Sequence, residues 1–343
     1  MKKVRVGIVG LGLAGYQLHA KAYTQIEGAE IYALCTRNQQ KLENIAGELN
    51  VGNIYTDYRE MLKDPGLEAV SICVADSLHY QFSRMAVESG KHVLCEKPLA
   101  ISLDEARKLV SLVQKSGIKF AVGHVYRFVP QFVTVKRMAE KGRLGKIFHL
   151  ESDYLQDMRE LYRTSPRRRT DKSWNSWIAG GSHVVDLARW IGGDIEQIMM
   201  YANKGEEDPD CGPVDDNHLS IMKFKNGSTC KVWEVRPIKM APDFTINLNV
   251  YGSRGTALSC FHRNEVRFFS LDEGEKQADF ASLYTEKIEG IPIKLELKDF
   301  ISSIKNDHPP VSGVVSGART VAALAAGVAS QKKGLPVEVE DVE

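Results

Sequence analysis

The chain of 343 residues has almost no net charge, no CxxC pair of cysteines and no long apolar run. Its 45 basic and 44 acidic residues leave no overall charge to attract nucleic acid or an anionic membrane. Six scattered cysteines are typical of reduced thiols in a cytoplasmic protein. No stretch is long enough to cross a membrane, and a glycine interrupts the apolar residues after Lys2-Lys3, which argues against a signal peptide. The expected partner is therefore a small molecule, with no nucleic acid and no membrane.

The length and the change of pattern along the chain predict two domains, over 1–122 and 123–343. In the first, short apolar runs alternate with helical patterns, which is typical of parallel strands joined by crossover helices. Strands are predicted over 4–9, 30–34, 69–74, 92–95 and 119–122. Helices are predicted over 16–26, 80–89 and 102–116, the last with a cap-like Ser102 and with Glu105 three residues later.

A glycine-rich turn, Gly10-Leu11-Gly12-Leu13-Ala14-Gly15, joins the first strand to the first helix. A dinucleotide needs this arrangement because its pyrophosphate must approach bare backbone N–H groups at a helix N-terminus. Gly10 would make the tight turn, Gly12 would admit the phosphates, and Gly15 would let the helix pack on the strand. The fold class is therefore expected to be α/β, with an N-terminal Rossmann dinucleotide-binding domain.

The second half has longer strands in which apolar and polar residues alternate. They are predicted over 147–154, 217–224, 228–235, 245–251 and 265–269, with turns at Lys225-Asn226-Gly227 and 252–255. This pattern predicts an α+β domain with one large, open and mostly antiparallel sheet. One face of such a sheet must be covered by helices or by a second subunit, so a homodimer or homotetramer through the C-terminal sheet is expected. An alanine-rich helix, about 313–333, ends before Gly334 and is expected to pack back on the first domain.

Four further stretches carry recognisable patterns: Glu96-Lys97-Pro98 within 90–100, a Leu-His ending within 72–79, a histidine-containing helix at 181–190, and the tail at 311–339. Together with the glycine turn they resemble the Gfo/Idh/MocA family of nicotinamide-dependent dehydrogenases, over nearly the whole chain. The resemblance implies hydride transfer between a nicotinamide and a secondary alcohol or ketone of a sugar, cyclitol or related polyol. It also implies that a second group of residues contacts the cofactor: Val74, Ala75, Asp76, Leu78, His79, Glu96, Lys97 and Pro98.

Lys97 and His183 are the expected catalytic residues. When a secondary alcohol gives up a hydride its oxygen must also lose a proton, so an ammonium donor and a nearby base lower the barrier. The resemblance assigns Lys97 to polarise the oxygen and His183 to move the proton, since an imidazole titrates near neutral pH. Glu96 is expected to pair with the backbone or the cofactor ribose, and Pro98 to hold its turn with a cis bond. Asp186, one helical turn after His183, would orient the ring or lie at the surface.

The chain departs from the family's pattern at Ala179, where many members carry an aspartate four residues before the histidine. Without that carboxylate the imidazolium is less stabilised and the ring is less well oriented. Either another group replaces it, with Asp157, Tyr154 and Asp186 as the candidates, or catalysis is weaker, or the chemistry is different.

A second departure concerns the cofactor. At the end of the second strand the NAD-using members of the family usually place an aspartate, whereas this chain has Thr36 followed by Arg37. A hydroxyl and a guanidinium bind a 2′-phosphate, which a carboxylate would repel. NADP is therefore expected in preference to NAD, the alternative being that Arg37 stacks on the adenine or faces water.

The C-terminal half is expected to supply the contacts to the substrate. The candidates are Arg127, Tyr154, Asp157, Trp177 and His183, with Tyr126, Arg159, Arg163 and Trp174 beside them. The basic stretch Arg167-Arg168-Arg169 is expected to be solvated, unless it meets an acidic substrate or a neighbouring subunit. No residue is assigned to a metal. Two other functions stay open: a glycosidase that retains NAD and acts by transient oxidation, and a regulator that binds a dinucleotide without catalysis.

Overall fold

The computed structural model describes residues 2–160, 175–205, 215–239, 244–270, 279–287 and 290–343. The chain divides into two compact units. The N-terminal unit contains Met1–Val125, Gly290–Val321 and Val342–Glu343, and the C-terminal unit contains Tyr126–Glu289 and Ala322–Asp341. None of the helices in these described ranges has the length and apolar character of a membrane span.

The N-terminal unit is built on a six-stranded parallel sheet with the strand order β3-β2-β1-β4-β5-β6. The strands are β1 (Val4–Val9), β2 (Ala29–Cys35), β3 (Asn53–Tyr55), β4 (Ala69–Ile72), β5 (His92–Glu96) and β6 (Phe120–Gly123). This is the strand order of a dinucleotide-binding Rossmann sheet, so the predicted fold of the first half is confirmed. The sequence pattern missed only β3, which has three residues and no apolar run.

The helices of this unit lie between consecutive strands or follow the sheet in the chain. They are α1 (the π-helix Leu13–Ala20 continued by Lys21–Tyr23), α2 (Gln39–Leu49), α3 (Tyr58–Lys63), α4 (His79–Glu88), α5 (Leu103–Ser116) and, later, α8 (Ile293–Lys305). The predicted cap of α5 is confirmed, because the Ser102 hydroxyl accepts a hydrogen bond from the backbone N–H of Glu105. The last helix, α9 (Val314–Lys333), ends before Gly334, which has the positive φ of +65° that favours glycine at a helix end.

The C-terminal unit is built on a nine-stranded sheet with the order β14-β13-β12-β11-β7-β10-β9-β8-β15. The strands are β7 (Ile147–Gln156), β8 (Ile195–Asn203), β9 (Asn217–Phe224), β10 (Thr229–Val235), β11 (Phe244–Gly252), β12 (Gly255–Cys260), β13 (Glu265–Ser270), β14 (Asp279–Tyr284) and β15 (Val337–Glu338). Neighbouring strands are antiparallel except β7 and β10, which run parallel. The predicted open and mostly antiparallel sheet is confirmed.

Two helices of the C-terminal unit lie against the same sheet, α6 (Pro130–Glu140) on β12 and β13 and α7 (Ser182–Gly192) on β7, β10 and β11. Alternate residues of β9 and β10 are buried, and those between them are exposed or half-buried, so one face of the sheet carries the core. The hydroxyl of Ser152 on β7 donates to the carbonyl oxygen of Val184 at 2.9 Å, which ties α7 to the centre of the covered face.

Candidate functional site

A cavity of about 500 Å³ lies where β1, β2, β3 and β4 end at their carboxyl ends. Open parallel sheets bind ligands at this edge. Six of the predicted cofactor residues line the cavity: Gly10, Thr36, Arg37, Val74, Ala75 and Leu78. Sequence reasoning missed other residues of the same wall, among them Thr56, Arg59 and Gln81, because they follow β3 or lie on helices that carry no motif.

The glycine turn has the conformation that close approach of a phosphate requires. Gly10 has φ +87°, and a Cβ there would overlap the carbonyl group of Cys73, so no other residue fits. Gly15 lies against the carbonyl oxygen of Gly10, which lets α1 begin beside β1. At Gly12 nothing lies within 4 Å of the position that a Cβ would occupy, so the backbone before Leu13 and Ala14 is bare. This cradle at a helix N-terminus fits the pyrophosphate of a dinucleotide.

The wall formed by the ends of β2 and β3 carries two guanidinium groups and the hydroxyls of Thr36 and Thr56. Thr36 and Arg37 follow β2, and Arg59 lies on α3. The single carboxylate beside them, Asp57, accepts a hydrogen bond from the backbone N–H of Arg59 at 2.8 Å and thereby caps α3. No carboxylate occupies the end of β2, where one would hold the ribose hydroxyls of NAD.

Glu96, the last residue of β5, is held by a chain of buried hydrogen bonds. Its carboxylate contacts His19 Nε2 at 3.0 Å, His19 Nδ1 contacts the Ser71 hydroxyl at 3.0 Å, and Ser71 contacts the Tyr23 hydroxyl at 3.1 Å. Burial raises the pKa of Glu96, but the hydrogen bond and charge of His19 and the ammonium of Lys97 lower it below its usual value. An ionised carboxylate only accepts, so His19 Nε2 is the donor in its hydrogen bond to Glu96.

Lys97 follows Glu96 at the carboxyl end of the parallel sheet, and its backbone N–H donates to Glu96 Oε2 at 3.2 Å. The peptide bond between Lys97 and Pro98 is cis, as predicted. The imidazole of His79 lies beside this turn, with Nδ1 at 2.6 Å from the carbonyl oxygen of Pro98 and Nε2 at 3.3 Å from that of Val74.

Burial lowers the pKa of His79, but Cys95, Asp76 and the Pro98 carbonyl together raise it to about 9. When the ring is protonated, each ring nitrogen donates to one carbonyl oxygen. In this form His79 connects two segments, the loop formed by Val74, Ala75 and Asp76 and the Glu96-Lys97-Pro98 turn.

His183 belongs to the C-terminal unit, where the π-helical turn Trp177–Gly181 leads into α7. Two tyrosine rings meet its imidazole edge to face, Tyr126 at 4.7 Å and Tyr154 at 5.6 Å between centroids. Burial, together with the neighbouring Tyr154 hydroxyl, raises the pKa of Tyr126 well above its usual value, so the phenol stays neutral. The imidazole therefore lies between two tyrosine rings, and that of Tyr126 carries no charge.

Asp186 is not a surface carboxylate, because its side chain is only 1% exposed. It accepts two hydrogen bonds from the buried Arg127, from Nε and Nη2, each at 2.7 Å. Arg127 also lies over the ring of Trp190, at 5.8 Å from its centroid. Arg127, predicted to contact substrate, is thus engaged by a carboxylate of α7, and this pair fixes the helix that carries His183. Asp157, the other candidate carboxylate, binds Arg159 in the same two-pronged way.

Trp177, predicted to contact substrate, is 0% exposed and belongs to the core of the C-terminal unit. Its indole N–H donates to the carbonyl oxygen of Leu324 at 3.2 Å, and Gly181 and Gly327 lie directly against the ring. A ring enclosed in this way presents no surface to a substrate. Arg163, Trp174 and the stretch Arg167-Arg168-Arg169 lie outside the described residues.

Comparison with known proteins agrees with this arrangement. The profile described as "Oxidoreductase family, NAD-binding Rossmann fold" matches residues 4–124, and that of the GFO/IDH/MocA C-terminal domain matches residues 132–258. A myo-inositol 2-dehydrogenase of Thermotoga maritima is 26% identical over 335 residues, covering 96% of each chain. The oxidoreductase YrbE of Bacillus subtilis is 30% identical over 264 residues, covering 75% of this chain and 73% of its own.

A solved structure, a levoglucosan dehydrogenase in complex with NADH, has the same fold. It superposes with a TM-score of 0.90 at 23% identity and covers 99% of this chain and 100% of its own. The parallel sheet with its glycine turn and the large antiparallel sheet agree with both family profiles. The chain belongs to the Gfo/Idh/MocA family of oxidoreductases with an NAD-binding Rossmann fold.

Proposed function

We propose that the protein is a nicotinamide-dependent dehydrogenase that transfers a hydride between the cofactor and a secondary alcohol or ketone of a sugar or cyclitol. The observation that carries this proposal is the cavity at the carboxyl ends of β1 to β4, bounded by the bare glycine turn. Relatives named as dehydrogenases of myo-inositol and scyllo-inositol, aligned over nearly the whole chain, support the substrate class.

The glycine turn and the cavity wall would hold the dinucleotide, whose nicotinamide would supply the acceptor for the hydride of the carbinol carbon. Lys97 donates a hydrogen bond to the carbinol oxygen and stabilises the negative charge that grows there. His183 accepts the hydroxyl proton as general base, and returns a proton when the ketone is reduced. Glu96, His19 and Ser71 hold the backbone on which Lys97 lies, while the Asp186–Arg127 pair holds the helix of His183.

The test is a panel of inositols and sugars, offered with each nicotinamide cofactor and followed at the absorbance band of the reduced nicotinamide. We expect at least one cyclitol or sugar to reduce the cofactor with repeated turnover. A retained cofactor without net reduction would favour the glycosidase, and cofactor binding without any chemistry would favour the regulator.

We also propose that NADP is preferred over NAD. Thr36, Arg37 and Arg59 line one wall of the cavity, where a 2′-phosphate would receive charge-assisted hydrogen bonds. NAD is the alternative, since the levoglucosan dehydrogenase binds NADH.

Fluorescence titration should show that NADPH binds more tightly than NADH. Replacing Arg37 by Gln should weaken NADPH binding about tenfold, the loss of roughly one charge-assisted hydrogen bond, and leave NADH binding unchanged. Arg84→Gln is the matched control, because Arg84 lies on α4 and pairs with Glu88 at the surface. Equal affinity for the two cofactors, or tighter binding of NADH, would rule out the preference.

We further propose that two copies of the chain associate through the open face of the nine-stranded sheet. Tyr201, Leu219 and Trp233 are neighbours in register across β8, β9 and β10, and Ile221 lies two residues further along β9. The exposed fractions of Tyr201, Leu219 and Ile221 are 66%, 42% and 51%. A contiguous apolar patch of this kind on a sheet is typical of an interface, and a second copy presents the same patch.

Light scattering after gel filtration should give a homodimer or homotetramer for the wild-type chain and a monomer for Ile221→Lys. Leu335→Lys is the control, because Leu335 is also exposed but lies outside the open face. A monomeric wild-type chain, or an Ile221→Lys variant that keeps the wild-type mass, would contradict the proposal.

For the cellular location we propose the cytoplasm. The support is that the five described cysteines are all free thiols, as is usual in a reducing compartment.

A further inference from the structure

A row of polar side chains crosses the covered face of the nine-stranded sheet beneath α7. His218 on β9, Glu234 on β10 and Tyr154 on β7 are register neighbours. Glu234 is fully buried and accepts hydrogen bonds from His218 Nδ1 at 2.9 Å and from the Ser176 hydroxyl at 3.3 Å. A buried carboxylate needs such partners, because a charge without partners is strongly disfavoured in a protein interior.

Arg236 follows β10 and closes this row. Its Nε donates to Glu234, its Nη1 donates to Gln156 Oε1 at 2.7 Å, and its Nη2 reaches the carbonyl oxygen of Ser176 at 3.4 Å. The guanidinium carbon lies 5.4 Å from the ring centroid of Tyr154. Arg236 is therefore a buried cation. Its guanidinium group is held by hydrogen bonds to several partners, and it contacts an aromatic ring.

The same ring of Tyr154 meets the imidazole of His183 edge to face, at 5.6 Å and 87°. Arg236 also reaches the helical turn that precedes His183. A Cβ at Gly180 would overlap the guanidinium of Arg236 and the carboxylate of Glu234, so only glycine leaves room for the pair. The residue next to that glycine is Ala179, where the chain has no carboxylate to orient the histidine.

We propose that Arg236 is a positioning residue for His183. Arg236 is held by Glu234 and Gln156, and it fixes the ring of Tyr154. This ring orients the imidazole of His183. It thereby takes the role that a carboxylate at position 179 would have. The proposal rests on the proposed function, in which His183 is the general base. It assigns Arg236 no contact with substrate or cofactor.

Two variants test the proposal without leaving Glu234 as an unpaired buried charge. Arg236→Lys keeps the positive charge but loses the fork, and Gly180→Ala keeps every charge but displaces the guanidinium. Each should lower kcat about ten- to a hundredfold, the effect of misplacing a catalytic group, with KM changed less than threefold. Rates are divided by the concentration of sites that bind reduced cofactor, so a partly unfolded variant does not imitate the effect.

Arg143→Lys is the matched control, because Arg143 lies over the ring of Phe268 at 4.8 Å in the same unit. Its kcat should equal that of the wild type. A second readout is the NMR signal of the His183 ring, assigned by its loss in His183→Gln. It should shift in Arg236→Lys and Gly180→Ala and stay in place in Arg143→Lys.

Wild-type kcat in both variants, or an unmoved His183 signal, would overturn the role of Arg236. Failure of the proposed function gives a different result, because the wild-type chain would then turn over no sugar or cyclitol. The NMR signal would still decide whether Arg236 orients the imidazole.

Discussion

Replacement of Lys97 by Ala is expected to lower kcat by about 10²- to 10⁴-fold, the usual contribution of a positioned proton donor. Lys97 lies at the carboxyl end of β5, next to a carboxylate whose low pKa keeps a negative charge beside the ammonium. Because the charge on the carbinol oxygen grows only in the transition state, the loss should appear in kcat and kcat/KM rather than in cofactor affinity.

Lys108→Ala is the control for this experiment, since Lys108 is exposed on α5 and pairs with Asp104. Its rate should equal that of the wild type. Titration with reduced cofactor should give one site per chain in both variants. A Lys97→Ala protein that keeps its rate would show that another group polarises the oxygen.

Replacement of His183 by Gln should lower kcat by a similar factor, about 10²- to 10⁴-fold, because Gln fills similar space but cannot take up the proton. The wild-type kcat/KM should fall as the pH is lowered through the pKa of the general base. This acid limb of the profile should be absent in the variant, since no base is then left to titrate. Stopped-flow measurement of alcohol oxidation across the pH range gives both quantities.

His308→Gln provides the control, because His308 bonds to Ser302 and lies on the side of α8. Its pH profile should match that of the wild type. If His183→Gln keeps the acid limb, the general base is a different residue, and the roles given to Tyr154 and Asp186 around α7 must be reassigned.

The sequence predicted the N-terminal sheet well because parallel strands buried on both faces appear as short apolar runs. The glycine turn and the Ser102 cap were also predictable, since both depend on residues within one turn of each other. The predicted strands did not include β3, β8, β12, β14 or β15, and β3 and β8 were missed for different reasons. The first is too short to show a pattern, and the second has two adjacent methionines that break the alternation.

The candidate site was predictable only where its residues share one short stretch of chain, as Glu96-Lys97-Pro98 do. The partner of Glu96 is His19, which is held in turn by Ser71, and these two residues come from two other elements of the N-terminal unit. Glu234 and Arg236 meet Tyr154 because β10 pairs with β7 in a parallel register, which no local pattern indicates.

Burial caused the remaining differences. An aspartate is mostly exposed, and Asp186 was expected either to orient His183 or to lie at the surface. Trp177 was expected to contact the substrate. In the folded unit Arg127 neutralises the first, and two glycines make room for the second. The burial of both side chains depends on residues from other elements, so the sequence next to each of them does not predict it.

The most direct test of the proposed chemistry follows the hydrogen itself. The cyclitol or sugar that gives turnover is prepared with deuterium on its carbinol carbons, and the nicotinamide product is examined by NMR. Direct hydride transfer predicts deuterium on the nicotinamide ring, formed about 10²- to 10⁴-fold more slowly in Lys97→Ala and His183→Gln. Reduced cofactor without deuterium, or product released while the cofactor stays oxidised, would contradict a dehydrogenase that uses Lys97 and His183.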